Sequence, residues 1–129
     1  AAALGQKDCI KIFGRDYDTK DGTAIRDYIH VTDLASAHIS SLKKLSDGTQ
    51  NLKLNLGTGV GYSVLEVIRT VEKISGKIIK SIDAPRRPGD PPILVAKSDS
   101  AQRTLKWETA FSSLDKIVET ALKWYISRH

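Results

Sequence analysis

The order of short alternating runs and longer amphipathic stretches predicts an α/β fold folded in one piece. Short segments with apolar residues at every second position recur along the chain, as half-buried strands require. Between them lie stretches whose apolar residues return at helical spacing. Size agrees: 129 residues allow one core, and 40% hydrophobic with 27% charged residues is ordinary for a globular chain.

Taken in order, residues 1–4 read as the tail of a helix closed by Gly5, since glycine suits the left-handed C-cap. A helix that begins before its first turn leads us to expect a chain taken from something longer. Residues 9–13 alternate, Ile10 and Ile12 against Lys11 and Phe13, and read as a strand. A loop rich in Asp and Gly follows over 14–23, with a turn at Gly22. Residues 26–31 are extended. Thr32 and Asp33 then offer an N-cap and an acidic first turn to a helix reaching about Leu45. Its inner stripe is Leu34, Ala37, His38, Ser41, Leu42 and Leu45.

Leu52-Lys53-Leu54-Asn55-Leu56 alternates and is expected to be a strand. Gly57, Gly59 and Gly61 carry the chain into a helix opened by a capping box, Ser63 with Glu66, and closed by Gly76. Val64, Val67, Ile68, Val71 and Ile74 form its apolar face. Residues 78–82 read as a strand. Pro85 to Pro92 holds all four prolines and reads as a rigid extended loop. A short buried strand over 93–96, a short helix capped by Ser98 and ending at Leu105, and a last helix over about 113–127 complete the chain.

Several function classes are excluded at this level. The sequence has no apolar run of about 18 residues, so no membrane-spanning helix is expected. One cysteine, Cys9, cannot form an internal disulfide, which favours a reducing, cytoplasmic setting. Lys and Arg number 20 against 15 Asp and Glu, a surplus of five, but the basic residues are scattered and not interleaved with aromatics. That reads as a solvated basic surface, not a nucleic-acid platform. No His, Cys, Asp and Glu cluster has metal-ligand spacing, and His30 and His38 lack a nucleophile at motif spacing, so both read as packed histidines.

Two arrangements are candidates for chemistry. Gly57-x-Gly59-x-Gly61 before a capped helix, with Asp83 downstream, suggests a dinucleotide turn. It fails in detail, because Tyr62 stands where the third glycine belongs and Asp83 lies 26 residues beyond Gly57 where about 20 is usual. A tight turn near a sheet edge is the better reading. Arg26 and Arg87 on separate segments could clamp a diphosphate, with Asp90 accepting from ribose hydroxyls. Spacing alone favours a plainer alternative, the surface salt bridges Arg26–Asp27 and Arg87–Asp90.

Longer strings of residues carry a resemblance. They are Ile12-Phe13-Gly14, the Asp21-Gly22-Thr23 turn, Arg26-Asp27-Tyr28-Ile29-His30-Val31 and Asp33-Leu34-Ala35. Asn55-Leu56-Gly57-Thr58-Gly59 and Ala84-Pro85-Arg86-Arg87-Pro88-Gly89-Asp90 follow in the same order. In this order the chain resembles the UDP-glucose 4-epimerases (UDP-galactose 4-epimerases), NAD-dependent members of the epimerase/dehydratase family of extended short-chain dehydrogenases/reductases. The resemblance implies the C-terminal, UDP-sugar-binding portion of an extended Rossmann-type enzyme over residues 1–129. It implies a small mixed sheet with helices, and no N-terminal Rossmann core. Residues of about 32–56 are then expected to pack on that core, and an uncovered apolar face there to drive homodimerisation or other self-association.

The same resemblance assigns roles. The strand Lys11, Ile12 and Phe13 would recognise uracil through its backbone, Arg26 and Arg87 would hold the diphosphate, and Asp90 the ribose. Tyr28 would neighbour the nucleotide, and Leu94 would face the sugar where some relatives carry tyrosine. Lys97 and Lys106 depart from the commoner acidic residue and glycine. The family's reaction inverts C4 of a hexose through a 4-keto intermediate, in galactose metabolism, with NAD as resident cofactor. Its Tyr-x-x-x-Lys pair and its Gly-x-x-Gly-x-x-Gly turn do not occur in this sequence. No catalytic residue, no NAD contact and no metal ligand are therefore expected here, and the chain alone is expected to be inactive. A UDP-N-acetylglucosamine 4-epimerase or another nucleotide-sugar epimerase or dehydratase is an alternative, as is a nucleotide-binding module without activity.

Overall fold

Two small sheets, rather than one, organise the described residues. The structure is a computed structural model that describes residues 1–49 and 51–128. A single 3₁₀ turn, Ala2–Leu4, ends at Gly5, whose φ of 72° is the left-handed cap expected of it. Strand β1, Ile10–Phe13, pairs in parallel with β4, Ser81–Ala84. The second sheet has the order β3-β2-β5, with β2 (Ile25–Asp27) antiparallel to β3 (Gly61–Ser63) and parallel to β5 (Ile93–Leu94). The helices are α1 (Val31–Ser46), α2 (Val64–Ser75), α3 (Asp99–Leu105) and α4 (Leu114–Arg128).

Local signals placed the ends of α2 correctly. Ser63 Oγ accepts from the Glu66 N–H and the Glu66 carboxylate accepts from the Ser63 N–H, a complete capping box. Gly76 closes the helix with φ 66°. The start of α1 is different. His30, not Thr32, is its N-cap, with Nδ1 accepting from the Thr32 N–H at 3.0 Å. An imidazole acceptor there does what a short hydroxyl or carboxylate usually does, so the sequence pattern pointed two residues too far along.

The core lies between α1 and α3. Ala37, Ala101, Leu105 and Trp107 are buried together, with Ile29, Leu52, Leu54 and Leu56 packed against them. The Trp107 indole N–H is satisfied by the Asp33 carbonyl at 3.0 Å and Ser36 Oγ at 2.8 Å. Alternation at 52–56 therefore identified the inward leucines, yet this segment is not a strand. A strand needs a ladder of hydrogen bonds to a neighbour, and none is offered among the described residues.

Exposure corrects further expectations. Of the stripe assigned to α1, Ala37 is buried, whereas His38, Leu42 and Leu45 are exposed. His30 is buried as expected, while His38 sits at the surface with its ring bonded to the Leu34 carbonyl at 2.7 Å. Residues 93–96 are not a buried strand. β5 is a two-residue strand at the edge of its sheet, with Ile93 and Leu94 exposed. The first turn is 3₁₀ rather than α, and β4 begins at Ser81, leaving Ile78 exposed.

Candidate functional site

The parallel pairing of β1 with β4 places the end of β1 beside the start of the proline loop. Phe13 is opposite Ala84, and the Gly14 N–H donates to the Ala84 carbonyl at 2.9 Å, so the ladder runs one residue past the strand. Ile12 is fully buried, Phe13 half-buried and Lys11 exposed. The loop leaves β4 through Pro85 and brings Arg87 back over β1. The Arg87 guanidinium carbon lies 4.0 Å from the centroid of the Phe13 ring, within cation–π range. Its neighbour Arg86 does the same over Tyr17 at 4.3 Å, anchored by Asp16 at 2.8 Å.

A turn over 87–90 then joins two pairs of side chains. The Asp90 N–H donates to the Arg87 carbonyl at 3.2 Å, and Gly89 takes the positive φ of 81° that the turn requires. Beyond the turn, the Asp90 carboxylate is 3.3 Å from Nη2 of Arg26 on β2. Arg26 is held from its other side by the Ile25 carbonyl, 2.8 Å from Nη1. Register puts Arg26 opposite Leu94 of β5, and both line a cleft of about 700 Å³ with Asp27, Asn55 and Lys97. Burial pushes the Tyr28 phenol above its ordinary range, and the Arg26 charge pulls it partly back.

The structure thus brings Phe13 to Arg87, Arg26 to Asp90 and Leu94 to Arg26. Neither of the plainer salt bridges forms: Arg26 pairs with Asp90, and Asp27 is engaged elsewhere. Lys11 contributes only an exposed side chain on the same strand.

Asp27 is the residue that sequence reasoning passed over. Its carboxylate accepts from the Thr58 N–H at 3.0 Å, the Thr58 hydroxyl at 2.7 Å, the Gly59 N–H at 3.0 Å and the Ala96 N–H at 3.2 Å. Burial raises its pKa, but these donors outweigh burial and hold the carboxyl below its usual range. The approach is tight: a Cβ at Gly57 would stand 2.6 Å from Asp27 Oδ2 and 2.5 Å from the Ala96 Cβ. The glycine run therefore does cradle an anion, but one supplied by the chain itself. Asp33, at the other end of this segment, is buried and accepts from the Ala110 N–H at 3.1 Å, the Phe111 N–H at 2.9 Å and the Ser112 hydroxyl. A turn of N–H groups that needs an anion, at Gly57-Thr58-Gly59, was the available signal for Asp27. Asp33 had none beyond its place in the first turn of a helix.

Among the described residues no group of three or more His, Cys, Asp and Glu could hold a metal ion. No helix among them is long and apolar enough to cross a membrane.

Comparison with known proteins gives the chain's relatives. A profile described as the NAD dependent epimerase/dehydratase family matches residues 1–57. The UDP-glucose 4-epimerase of Azospirillum brasilense is 51% identical over 95% of this chain. Residues 1–57 match that family's model, and nearly the whole chain is similar to UDP-glucose 4-epimerases. Its fold is shared with the UDP-glucose 4-epimerase of Brucella ovis in complex with NAD, at a TM-score of 0.90 and 43% identity over 96% of this chain and 38% of that one. The UDP-glucose 4-epimerase of Bifidobacterium longum in complex with NAD+ and UDP gives 0.87 and 40% over 98% of this chain and 37% of that one. The chain spans little more than a third of these relatives, 35% of the Azospirillum protein.

The family match corrects the expected fold class. The motif strings suggested a portion lying wholly outside the family's Rossmann region. The profile instead takes in residues 1–57, from the 3₁₀ turn through β1, β2 and α1 to Gly57, so that stretch belongs to the region the NAD-dependent family holds in common. Motifs identify relatives, but they do not draw domain boundaries. The expected single mixed sheet is likewise replaced by a two-stranded parallel and a three-stranded mixed sheet.

Proposed function

We propose that this chain is the UDP-sugar-binding part of an NAD-dependent UDP-glucose/UDP-galactose 4-epimerase of galactose metabolism. The observation that carries the reading is the turn over 87–90, which joins the Arg87–Phe13 contact to the Arg26–Asp90 pair. Two guanidinium groups at one turn suit a diphosphate, whose oxygens each accept forked hydrogen bonds. The carboxylate of Asp90 suits the donors of a ribose. In this reading the backbone of Lys11, Ile12 and Phe13 meets uracil, Tyr28 flanks the nucleotide and Leu94 borders the sugar. The UDP bound in the Bifidobacterium longum relative supports the ligand class.

NAD is the cofactor of the complete enzyme in this reading, and the residues present do not fit it. The Thr58 and Gly59 N–H groups of the glycine turn are taken by Asp27, and Asp83 is 3.6 Å from Arg15. No tyrosine has a lysine four residues on. Inversion at C4 through a 4-keto sugar needs hydride and proton transfer that no residue here supplies, so the chain alone binds and does not turn over.

Leucine at position 94 is less bulky than tyrosine and stands exposed at the cleft. That favours, as a second reading, acceptance of N-acetylated UDP-sugars as well.

Calorimetric titration with UDP tests the assignment. Weak, measurable binding is expected, abolished by Arg87→Ala. Binding that survives this substitution removes Arg87 from the clamp, and turnover of UDP-galactose by the chain alone contradicts the division of labour. Absence of turnover in the complete protein would leave a nucleotide-binding module without activity.

A further inference from the structure

We infer that Asp27 is the positioning residue of this site, the group through which the sugar-side wall of the cleft is held in register with the diphosphate clamp. The inference rests on the UDP-sugar reading and deepens it. Asp27 follows Arg26 directly on β2, so its backbone is as fixed as that of the clamp arginine. Its side chain reaches Ala96, which lines the cleft, on one side, and on the other Thr58 and Gly59, which directly follow the lining residues Leu54, Asn55 and Leu56.

The geometry at Ala96 shows what the carboxylate replaces. β5 pairs with β2 only over Ile93 and Leu94, opposite Ile25 and Arg26. Beyond Leu94 the ladder stops, and the next bond between the two segments is Ala96 N–H to Asp27 Oδ2 at 3.2 Å. A side chain therefore takes over where backbone pairing ends, two residues past Leu94. The same carboxylate ties the Gly57–Gly59 turn, where Gly57 leaves no room for a side chain between Asp27 and Ala96. Three segments meet at one charged group with four donors, and a carboxylate can accept from all of them while an amide cannot. Remove its charge and the strand pairing at Leu94 remains, but Ala96 and the 57–59 turn lose their tether to β2.

Asp27 hydrogen-bonds to Thr58, Gly59 and Ala96 and not to β1, which lies in the other sheet and whose backbone meets uracil in this reading. Its loss should therefore weaken ligands that reach the clamp and spare those that stop at the nucleoside. The test is an NMR titration of the 129-residue chain with UDP and, separately, with uridine. Asp27→Asn is expected to weaken UDP binding about tenfold, with uridine within about twofold of wild type. Unchanged UDP binding overturns the inference, and so does a parallel loss for both ligands, which would mark a merely structural residue. Should Asp27→Asn lose its dispersed spectrum, Thr58→Val decides: UDP binding weakened about threefold, and restored by Thr58→Ser, is expected. Unchanged UDP binding in Thr58→Val overturns it. A wild-type chain that takes up neither ligand defeats the UDP-sugar reading itself, and this inference with it.

Discussion

The Asp90 carboxylate pairs with Arg26, 3.3 Å away on another strand, and not with Arg87 at the opposite end of its own turn. The pair spans the connection between the two sheets, and it presents Arg26 already ordered. Both side chains are about a third exposed or less, at 23% and 34%. A partly hydrated pair of this kind contributes about 1 kcal/mol or less to stability. Asp90→Ala should thus change the melting temperature little while weakening UDP binding by about tenfold, measured by calorimetry beside a thermal melt. A large loss of stability with unaltered UDP binding would reverse that assignment.

Gly57→Ala should destabilise the fold by about 1–3 kcal/mol in chemical denaturation. The added Cβ meets Asp27 Oδ2 at 2.6 Å and the Ala96 Cβ at 2.5 Å, and neither belongs to a flexible end that can swing away. A neutral outcome would show that the turn over 57–59 can shift, and with it the tether at Asp27.

Acid should unfold the chain through its hydrogen-bonded carboxylates. For Asp33, burial raises the pKa, but the Ser112 hydroxyl, the Ala110 and Phe111 N–H groups and nearby His30 together hold it below the ordinary value. Asp21, Asp27 and Glu66 are lowered as well. A depressed folded pKa contributes stability above the unfolded value, about 4, which is lost as pH falls through the folded value. Melting temperature should therefore hold between about pH 7 and 5 and drop progressively below about pH 4. Asp33→Asn should cost about 2 kcal/mol at neutral pH and flatten that drop, because its buried donors lose their anion. An acid profile identical to wild type would exclude Asp33 as a main contributor.

Helix α1 carries Val31, Ile39, Leu42 and Leu45 at 75%, 55%, 64% and 46% exposure, an apolar stripe at helical spacing. Contiguous patches of this sort favour association. Light scattering should find the isolated chain self-associated at micromolar concentration, and Leu42→Glu should shift it towards monomer. A clean monomer throughout that range contradicts the expectation.

Features decided within one turn of chain were legible in the sequence, and features decided by distant partners were not. Ser63 with Glu66, Gly5 and Gly76 are local devices, and each stands where the residues placed it. The leucines of 52–56 showed which way they face, but a strand is made by its neighbour, and alternation carries no information about one. Helical spacing on α1 likewise named apolar positions without saying which face has a partner, so Leu42 and Leu45 were assigned inward although they are exposed. The proposed clamp came from family motifs, whereas spacing preferred the pairs Arg26–Asp27 and Arg87–Asp90, in place of which Arg26 pairs with Asp90. Asp27 and Asp33 escaped because their donors lie far along the chain, at Thr58 and Ala96 for one and at Ala110 to Ser112 for the other. A carboxylate satisfied by remote backbone N–H groups leaves no pattern around itself.

Residue-resolved NMR of the chain titrated with UDP tests the central claim most directly. The account predicts that amides of Ile12, Phe13, Arg26 and the turn over 87–90 shift together along one binding curve, while those of α4 stay still. Arg87→Ala should abolish these shifts. Shifts confined to other surfaces, or a full response in Arg87→Ala, would contradict it.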